Sequence, residues 1–521
     1  MAAITNDRNT HSSHRTDITY WCALGAVTTL LCLPVLSVTY VPLVDYPNHL
    51  ARVSILYQYA DVPAYQSTYY RVLAPIPDLA IDLITLPLLH LFHVITAGKI
   101  FLVLTILLFV TGCHQLGKAI HGHLTWLTLP CVFFFYNSMF LYGFVSYMFG
   151  LGLFCVTVAY RLQLRGRWTK KGFLILTLLL LLAFFAHLSA EVFLGVTFVV
   201  VTAWDYLTGK ENFYSAVCSL IPFSVPFACF VVFMSGTGTL GHIELNTMKG
   251  KLIGMLALVL SYNYTLDVLL VIGFFGLFIV VITQIKSLQV DWLIFTCGAI
   301  FAVLYLLSPK VLFGSSSADA RFVLPAALLL TFSFKVSILP QPKRVLLLLC
   351  LLLASVRVVF IWRTWVMLDE RIAPNVESLK KLPLGARIYP IFVLPEDTQT
   401  QKTERSFEHV VEYATIYRQA FVPTLFHYAG ATPLSFRSNP QYLAPAQPRT
   451  EQWVQVSDDW IPLLANYDYV WGHRVDGKLE QLLRNRCTKI DESGTFSLWQ
   501  VKQQSGEDTL TYGADHANGS P

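Results

Sequence analysis

The sequence predicts an α-helical polytopic membrane protein of about eleven spans carrying a small C-terminal α/β soluble domain, and three observations lead there. Of its 521 residues, 55% are hydrophobic and only 13% are charged, against about 25% charged in an ordinary soluble domain. The apolar blocks are long and free of charge, FLVLTILLFV at 101–110 and LILTLLLLLAFFA at 174–186 among them. Charge returns at ordinary density after residue 363. Water cannot solvate a shell built from the first part, so the chain divides into a leader (1–18), a membrane module (19–362), an aqueous domain (363–502) and a polar tail (503–521) expected to be disordered.

A helix crossing ~30 Å of hydrocarbon needs roughly 20 apolar residues. Such segments fall near 19–41, 97–118, 124–141, 143–161, 172–187, 189–206, 213–235, 266–285, 291–308, 321–338 and 343–362. The first has no small residues spaced for cleavage and reads as a retained span rather than a signal peptide. Nine of the ten cysteines lie in or beside apolar segments, so no disulfide framework is readable.

Loop charge sets the orientation, because Lys and Arg collect in short cytoplasmic loops. The strongest basic cluster, RLQLRGRWTKK at 161–171, belongs inside. From a cytoplasmic N-terminus, parity puts it there only if the apolar stretch 79–96 stays on the outer surface. Lys118, Lys210, Lys286 and the QPKR of 341–344 then also fall inside. The net charge of +5 thus reflects orientation, and no nucleic-acid motif is present. Outside lie the first loop 42–96, the turn from Tyr136 to Tyr142, His187, the loops 236–265 and 309–320, and the C-terminal domain. The absence of an organelle signal favours a bacterial inner membrane, with that outer face periplasmic.

The first loop opens V-D-Y-P-N-H-L-A-R, and a helix starting at Pro47 puts His49 and Arg52 on one face. Asp45 before it reads in two ways. It is a plain helix cap, or a carboxylate at the membrane boundary that takes a proton from an incoming hydroxyl or holds a metal. In HLSAE, His187 and Glu191 lie one helical turn apart at the outer end of two apolar spans. Ionisable groups there pair with each other or line a substrate or metal cavity. The segment FGSSSADARF at 313–322 offers backbone amides and the forked donor of Arg321 to a phosphate, with Asp319 beside it; headgroup anchoring of Arg321 is the alternative. Arg71, Asp78, Asp82, Lys249 and Lys251 are further outer-face charges, read as interfacial anchors or lipid-phosphate partners. Tyr136, Asn137, Tyr142 and Tyr147 line a sugar pocket or form an interfacial belt.

A first span, an outer loop opening with an acid, an apolar in-loop helix, many further spans and a soluble C-terminal domain together resemble the GT-C glycosyltransferase superfamily, including bacterial aminoarabinose and protein O-mannosyl transferases. The resemblance covers roughly 19–362, and Asp45 of DYPNH is the matching acid. It implies a donor sugar linked to a polyprenyl phosphate or diphosphate in the membrane lipid, a periplasmic glycan, lipid or protein acceptor, and Asp45 as catalytic base. His49, Arg52, Arg71, His187, Glu191, Lys251, Asp319 and Arg321 are the candidate substrate-binding residues. A divalent metal, Mg or Mn, would draw on Asp45 and Glu191. The common form of the family has two adjacent acids, whereas Tyr46 follows Asp45 here.

After residue 363, strands are expected at 386–394, 467–473 and 496–501 and helices at 407–421 and 478–486, with YDYVWG and FSLWQV as neighbours in one sheet. A flippase or transporter would carry polar residues near mid-span and paired interrupted helices, but the polar residues here gather at one face. An O-antigen polymerase or ligase would place its long basic outer loop late, whereas here it comes first.

Overall fold

The computed structural model describes residues 4–236, 243–283, 289–312, 315–335, 341–426, 432–437, 449–450 and 461–502. The expected disordered tail 503–521 lies outside the described residues.

Helix α1 (Ile4–Ser37) begins inside the polar leader rather than after it. The chain leaves it through Thr39 and Tyr40, whose backbone amides donate to the Asp369 carboxylate at 2.7 and 2.8 Å. The first loop then folds as α2 (Tyr46–Gln58), α3 (Pro63–Thr68), the strand β1 (Tyr69–Arg71) and α4 (Ala80–Leu88). At 1.5 Å per residue, α4 is about 14 Å long, under half a hydrocarbon core. It therefore fits the expectation that this stretch does not cross.

Helix α5 (Val94–His121) packs along α8 (Val145–Gln163) through facing glycines. A Cβ on Gly112 would come within 2.7 Å of the Gly152 carbonyl, and one on Gly152 within 2.8 Å of Leu108. Small residues let two backbones approach where apolar burial alone supplies little drive, as between membrane helices. Between these two helices, the expected span 124–141 is broken into α6 (Thr128–Val132), a 3₁₀ turn (Phe133–Phe135) and α7 (Ser138–Tyr142). Asn137 makes the break: its Oδ1 accepts from the Phe140 amide at 3.1 Å and its Nδ2 donates to the Phe134 carbonyl at 2.8 Å. Such a side chain competes with the helical ladder and favours a cap.

The helices α9 (Lys170–Ala186) and α10 (Leu188–Leu207) match their expected segments within a few residues. The expected span 213–235 is interrupted between α11 (Phe213–Cys218) and α12 (Ser224–Gly236) by a 3₁₀ turn containing Pro222, which has no amide to donate. Then follow α13 (Met248–Met255), α14 (Tyr264–Thr283), β2 (Gln289–Val290), α15 (Trp292–Leu307), α16 (Val323–Ser333) and β3 (Phe334–Lys335). The last two replace the expected span 321–338, because the chain turns extended at Phe334 to pair with β2. Helix α17 (Gln341–Leu379) runs well past the expected end at 362 and carries the membrane module into the C-terminal region.

Among the described residues, six stretches are long and apolar enough to cross a membrane: Ile18–Ser37, Val94–His121, Val145–Gln163, Leu188–Leu207, Phe213–Ser235 and Leu348–Leu379. Shorter apolar helices at Thr128–Tyr142, Tyr264–Leu277, Trp292–Leu307 and Ala320–Ser333 accompany them. The chain is a multi-pass membrane protein, but several of the eleven expected spans are shorter or broken.

The C-terminal region is built from β4 (Ile388–Leu394), α18 (Thr398–Glu404), α19 (Tyr413–Arg418), β5 (Leu434–Phe436), β6 (Arg449–Thr450), β7 (Tyr469–His473), α20 (Gly477–Arg486), β8 (Cys487–Ser493) and β9 (Phe496–Val501). Its five-stranded sheet has the order β6-β4-β7-β9-β8, with β4 parallel to β6 and β7, and β9 antiparallel to β7 and β8. YDYVWG and FSLWQV are thus neighbours. The expected helix 407–421 is instead two 3₁₀ turns (Arg405–Phe407, Val410–Glu412) followed by the short α19.

This region is fastened to the first loop. Strand β1 pairs antiparallel with β5, Tyr70 opposite Ser435, and Arg437 donates from Nε to the Gln66 carbonyl at 2.6 Å. Segments that hydrogen-bond to each other cannot have a bilayer between them, so the first loop and the C-terminal region share one face.

Candidate active site

Asp45 occupies the position before α2, yet its carboxylate makes no capping hydrogen bond. Its backbone does the structural work instead, the amide donating to the Tyr142 carbonyl at 3.0 Å and the carbonyl accepting from the His49 amide at 3.2 Å. The plain-cap reading therefore fails, and the carboxylate is left for other use. Gly143 sets its place. With φ at +100°, a Cβ on Gly143 would sit 2.6 Å from the Asp45 amide nitrogen and 2.8 Å from its Cβ, so only glycine permits this approach.

The Asp45 side chain is 14% exposed, and its Oδ1 lies 3.9 Å from Nε2 of His409. On the other side of that ring, Nδ1 is 2.9 Å from Oε1 of the fully buried Glu412. Oε1 of Glu412 also accepts from the Thr424 hydroxyl at 2.7 Å and from Asn48 Nδ2 at 3.2 Å. Asn48 completes the clasp by donating to the Thr424 carbonyl at 2.8 Å and accepting the Phe426 amide at 2.9 Å. Burial pushes the Asp45 carboxyl up to about 7 against the opposing pull of His409, and Glu408, Glu412 and Asp78 add to the rise. Burial alone would lower His409, but the charge and hydrogen bond of Glu412, with Glu408 and Asp45, raise it to about 9. At neutral pH the ring is therefore a cation between two acids.

Asp78 adjoins this group, its backbone in the left-handed region at φ 70°. Burial raises its carboxyl to about 6, opposed by Arg52 and Arg321. It thus lies within electrostatic reach of both Asp45 and Arg321. One NH2 group of Arg321 donates to Ser315 Oγ at 2.8 Å and the Ser316 carbonyl at 3.1 Å. Its guanidinium stands 5.2 Å from the Phe144 ring centroid, and its Nε is buried without a partner. Tyr147 donates to the Arg321 carbonyl at 2.9 Å. Tyr142 receives the Arg405 guanidinium at 3.0 Å, while Tyr136 is buried and donates to the Leu31 carbonyl at 2.7 Å.

Other candidates have different work. Arg52 and Asp82 form a buried two-bond pair at 2.9 and 2.6 Å that ties α2 to α4. Lys251 is buried against Asp319 at 2.7 Å and the carbonyls of Tyr305 and Ser308 at 2.7 and 2.6 Å, with Asn246 donating to the same Asp319 oxygen. Lys249 heads α13, whose cap is Thr247. Arg71 is exposed on β1 over the Tyr59 ring. His49 is buried below Phe426, its Nδ1 without a hydrogen-bond partner.

His187 and Glu191 form no ion pair in the structure. The His187 ring accepts the Ser189 amide at 3.0 Å and caps α10, whereas Glu191 lines an apolar groove of about 490 Å³ with Leu188, Gly195, Phe223, Phe227 and Phe230. One Glu191 oxygen is buried there without a partner. The charged groups acting on Asp45 are His409, Glu408, Glu412 and Asp78, with Glu191 not among them, and among the described residues no group of three or more His, Cys, Asp and Glu is placed to hold a metal.

Sequence reasoning missed His409, Glu412 and Asn48. The only local signal was E-H-V-V-E at 408–412, a histidine flanked by acids in a segment read as a plain helix.

No family model matches the chain, and no curated protein matches it. Among solved structures it is similar to ArnT from Cupriavidus metallidurans bound to undecaprenyl phosphate, with a TM-score of 0.48 and 12% identity over 92% of this chain and 98% of that one. It is also similar to the arabinofuranosyltransferase AftD from Mycobacteria, with a TM-score of 0.40 and 12% identity over 89% of this chain and 40% of that one.

Proposed function

We propose that the chain is an integral membrane glycosyltransferase of the bacterial inner membrane, moving a sugar from a polyprenyl-phosphate or diphosphate donor to a periplasmic glycan, lipid or protein acceptor. The observation that carries this reading is Asp45: a carboxylate just beyond the first candidate span, released from capping, slightly open to water and pushed up to about 7. A general base works best when its pKa lies near the working pH. The architecture that resembles the GT-C superfamily supports the same reading, since Asp45 is its matching acid.

In this reading the acceptor hydroxyl attacks the anomeric carbon of the donor while Asp45 takes its proton. The bond from that carbon to the phosphate oxygen breaks, and the prenyl phosphate leaves with the electron pair. Arg321, with its unpartnered Nε and serine-held NH2, would meet the departing phosphate by a charge-assisted hydrogen bond. His187 and Glu191 would sit toward the lipid side of the site, and His49 near the acceptor.

The test is transfer from a panel of prenyl-phosphate-linked sugars by purified wild type and Asp45→Asn in lipid nanodiscs. Transfer by wild type and its loss in the variant, with insertion and melting unchanged, supports the reading. Equal transfer by both removes Asp45 as the base.

A further inference from the structure

Among the contacts between the first loop and the C-terminal region, one brings a histidine to Asp45. Asp45 comes from the end of the first span, whereas His409, Glu412 and Thr424 lie more than 350 residues later. The His409 ring faces Asp45 through Nε2 at 3.9 Å and Glu412 through Nδ1 at 2.9 Å. Glu412 is fixed in turn by Thr424 and Asn48, and the Phe426 ring stands 5.0 Å from the imidazole. Ring orientation is thus set on both sides and by an aromatic wall.

We propose that His409, oriented by Glu412, is the positioning residue of Asp45: the C-terminal region supplies the built-in cation that keeps a buried carboxylate ionised and aimed at its substrate. This rests on Asp45 being the base of the proposed transfer. A buried acid with no counter-charge takes up a proton and cannot act as a base at neutral pH. The charged groups acting on Asp45 are Glu408, Glu412 and Asp78, all acidic, with His409 as the cation among them, and the Tyr142 phenol also lies within its electrostatic reach. Arg405, 3.7 Å from Glu408 and bonded to Tyr142, and Arg52, near His49 and Asp78, carry the nearby positive charge that is already paired. The short turns that replace the expected helix 407–421 let His409 and Glu412 meet while the ring still reaches Asp45. When Asp45 accepts the acceptor's proton it becomes neutral, and the His409–Glu412 ion pair remains intact. The proton then passes to water through the exposed side of Asp45.

The experiment needs no sugar donor. In full-length protein carrying ¹³C-labelled aspartate, the Asp45 carboxyl band is followed by infrared titration and assigned by its absence in Asp45→Asn. The expected result is titration near pH 7 in wild type, an upward shift of about one unit or more in His409→Gln, and a near-wild-type value in His409→Lys, which keeps the charge. An unmoved Asp45 titration in His409→Gln, even with a lowered melting temperature, makes His409 a mere clasp and overturns the proposal. Should His409→Gln not insert, ¹⁵N shifts of the wild-type ring decide: a doubly protonated ring at pH 7 that loses a proton near pH 9 is required, and a neutral ring at pH 7 contradicts it. A correct titration in a protein that transfers no sugar would sink the transferase reading and leave the His409–Asp45 coupling standing.

Discussion

Two clusters of charge, around Lys251 and around Asp45, differ in how completely they are satisfied. Around Lys251 and Asp319, the ammonium meets a carboxylate and two carbonyls, and the same carboxylate takes a further donor from Asn246. Around Asp45, the nearest cation stands 3.9 Å away, and one oxygen each of Glu408 and Glu412, His49 Nδ1 and Arg321 Nε are buried without hydrogen-bond partners. A closed network stabilises a joint, whereas an open one in a partly accessible site has capacity left for a ligand. As sequence, both clusters offered candidate site residues, Asp45 as the base and Lys251 as a lipid-phosphate partner or interfacial anchor. The difference teaches that an outer-face charge is informative only once its partner is known.

The largest effect separating the clusters belongs to Asp45→Asn, expected to lower transfer about 10²- to 10⁴-fold, the usual worth of a general base, with melting unchanged. Initial rates with a prenyl-linked donor read it. On the closed side, Lys251→Met leaves Asp319 buried and uncompensated and is expected to cost about 3–5 kcal/mol of stability; thermal or denaturant unfolding measures that, and a melt within a degree of wild type would show the pair is not a joint. Asp82→Asn, which strands Arg52, should behave alike.

Smaller is Gly143→Ala. Its methyl would press on the Asp45 backbone in a left-handed conformation, so transfer should fall about tenfold or more through misplacement of the base, and a full rate would show that Asp45 tolerates displacement. The open cluster also predicts pH dependence with a definite sign. Asp45 must be ionised, so the rate rises with pH through about 7. A rate flat from pH 5 to 10 would break that assignment. The smallest effect is Arg71→Ala at an exposed strand position, expected to change stability by under about 0.5 kcal/mol and transfer very little.

Much of the membrane module was legible because hydrophobic length is a local property: α5, α8, α9 and α10 fall within a few residues of expectation. The expected span 124–141 is shortened for a local cause, Asn137, which breaks an apolar run that hydropathy alone reads as continuous, whereas 213–235 keeps spanning length across the turn at Pro222. Asp45 and Arg321 were visible as charges beside spans, and the structure brings both within reach of Asp78. Partners were not visible. Arg52 and Asp82 are 30 residues apart and Asn48 and Glu412 are 364 apart, so no spacing pattern ties them together. His409 was hidden by a helical periodicity that the segment 407–421 does not follow.

Everything functional here requires the first loop and the C-terminal region to build one site on one face, and Tyr70 and Ser435 stand opposite each other where the two are joined. Replacing both by cysteine in an otherwise cysteine-free chain, oxidising intact membranes and resolving the protein before and after reduction tests that joint directly. The account predicts an intramolecular disulfide that forms only in the double variant and is accessible to impermeant reagents from the periplasmic side alone. Two uncrosslinked thiols that react from opposite sides of the membrane would contradict it.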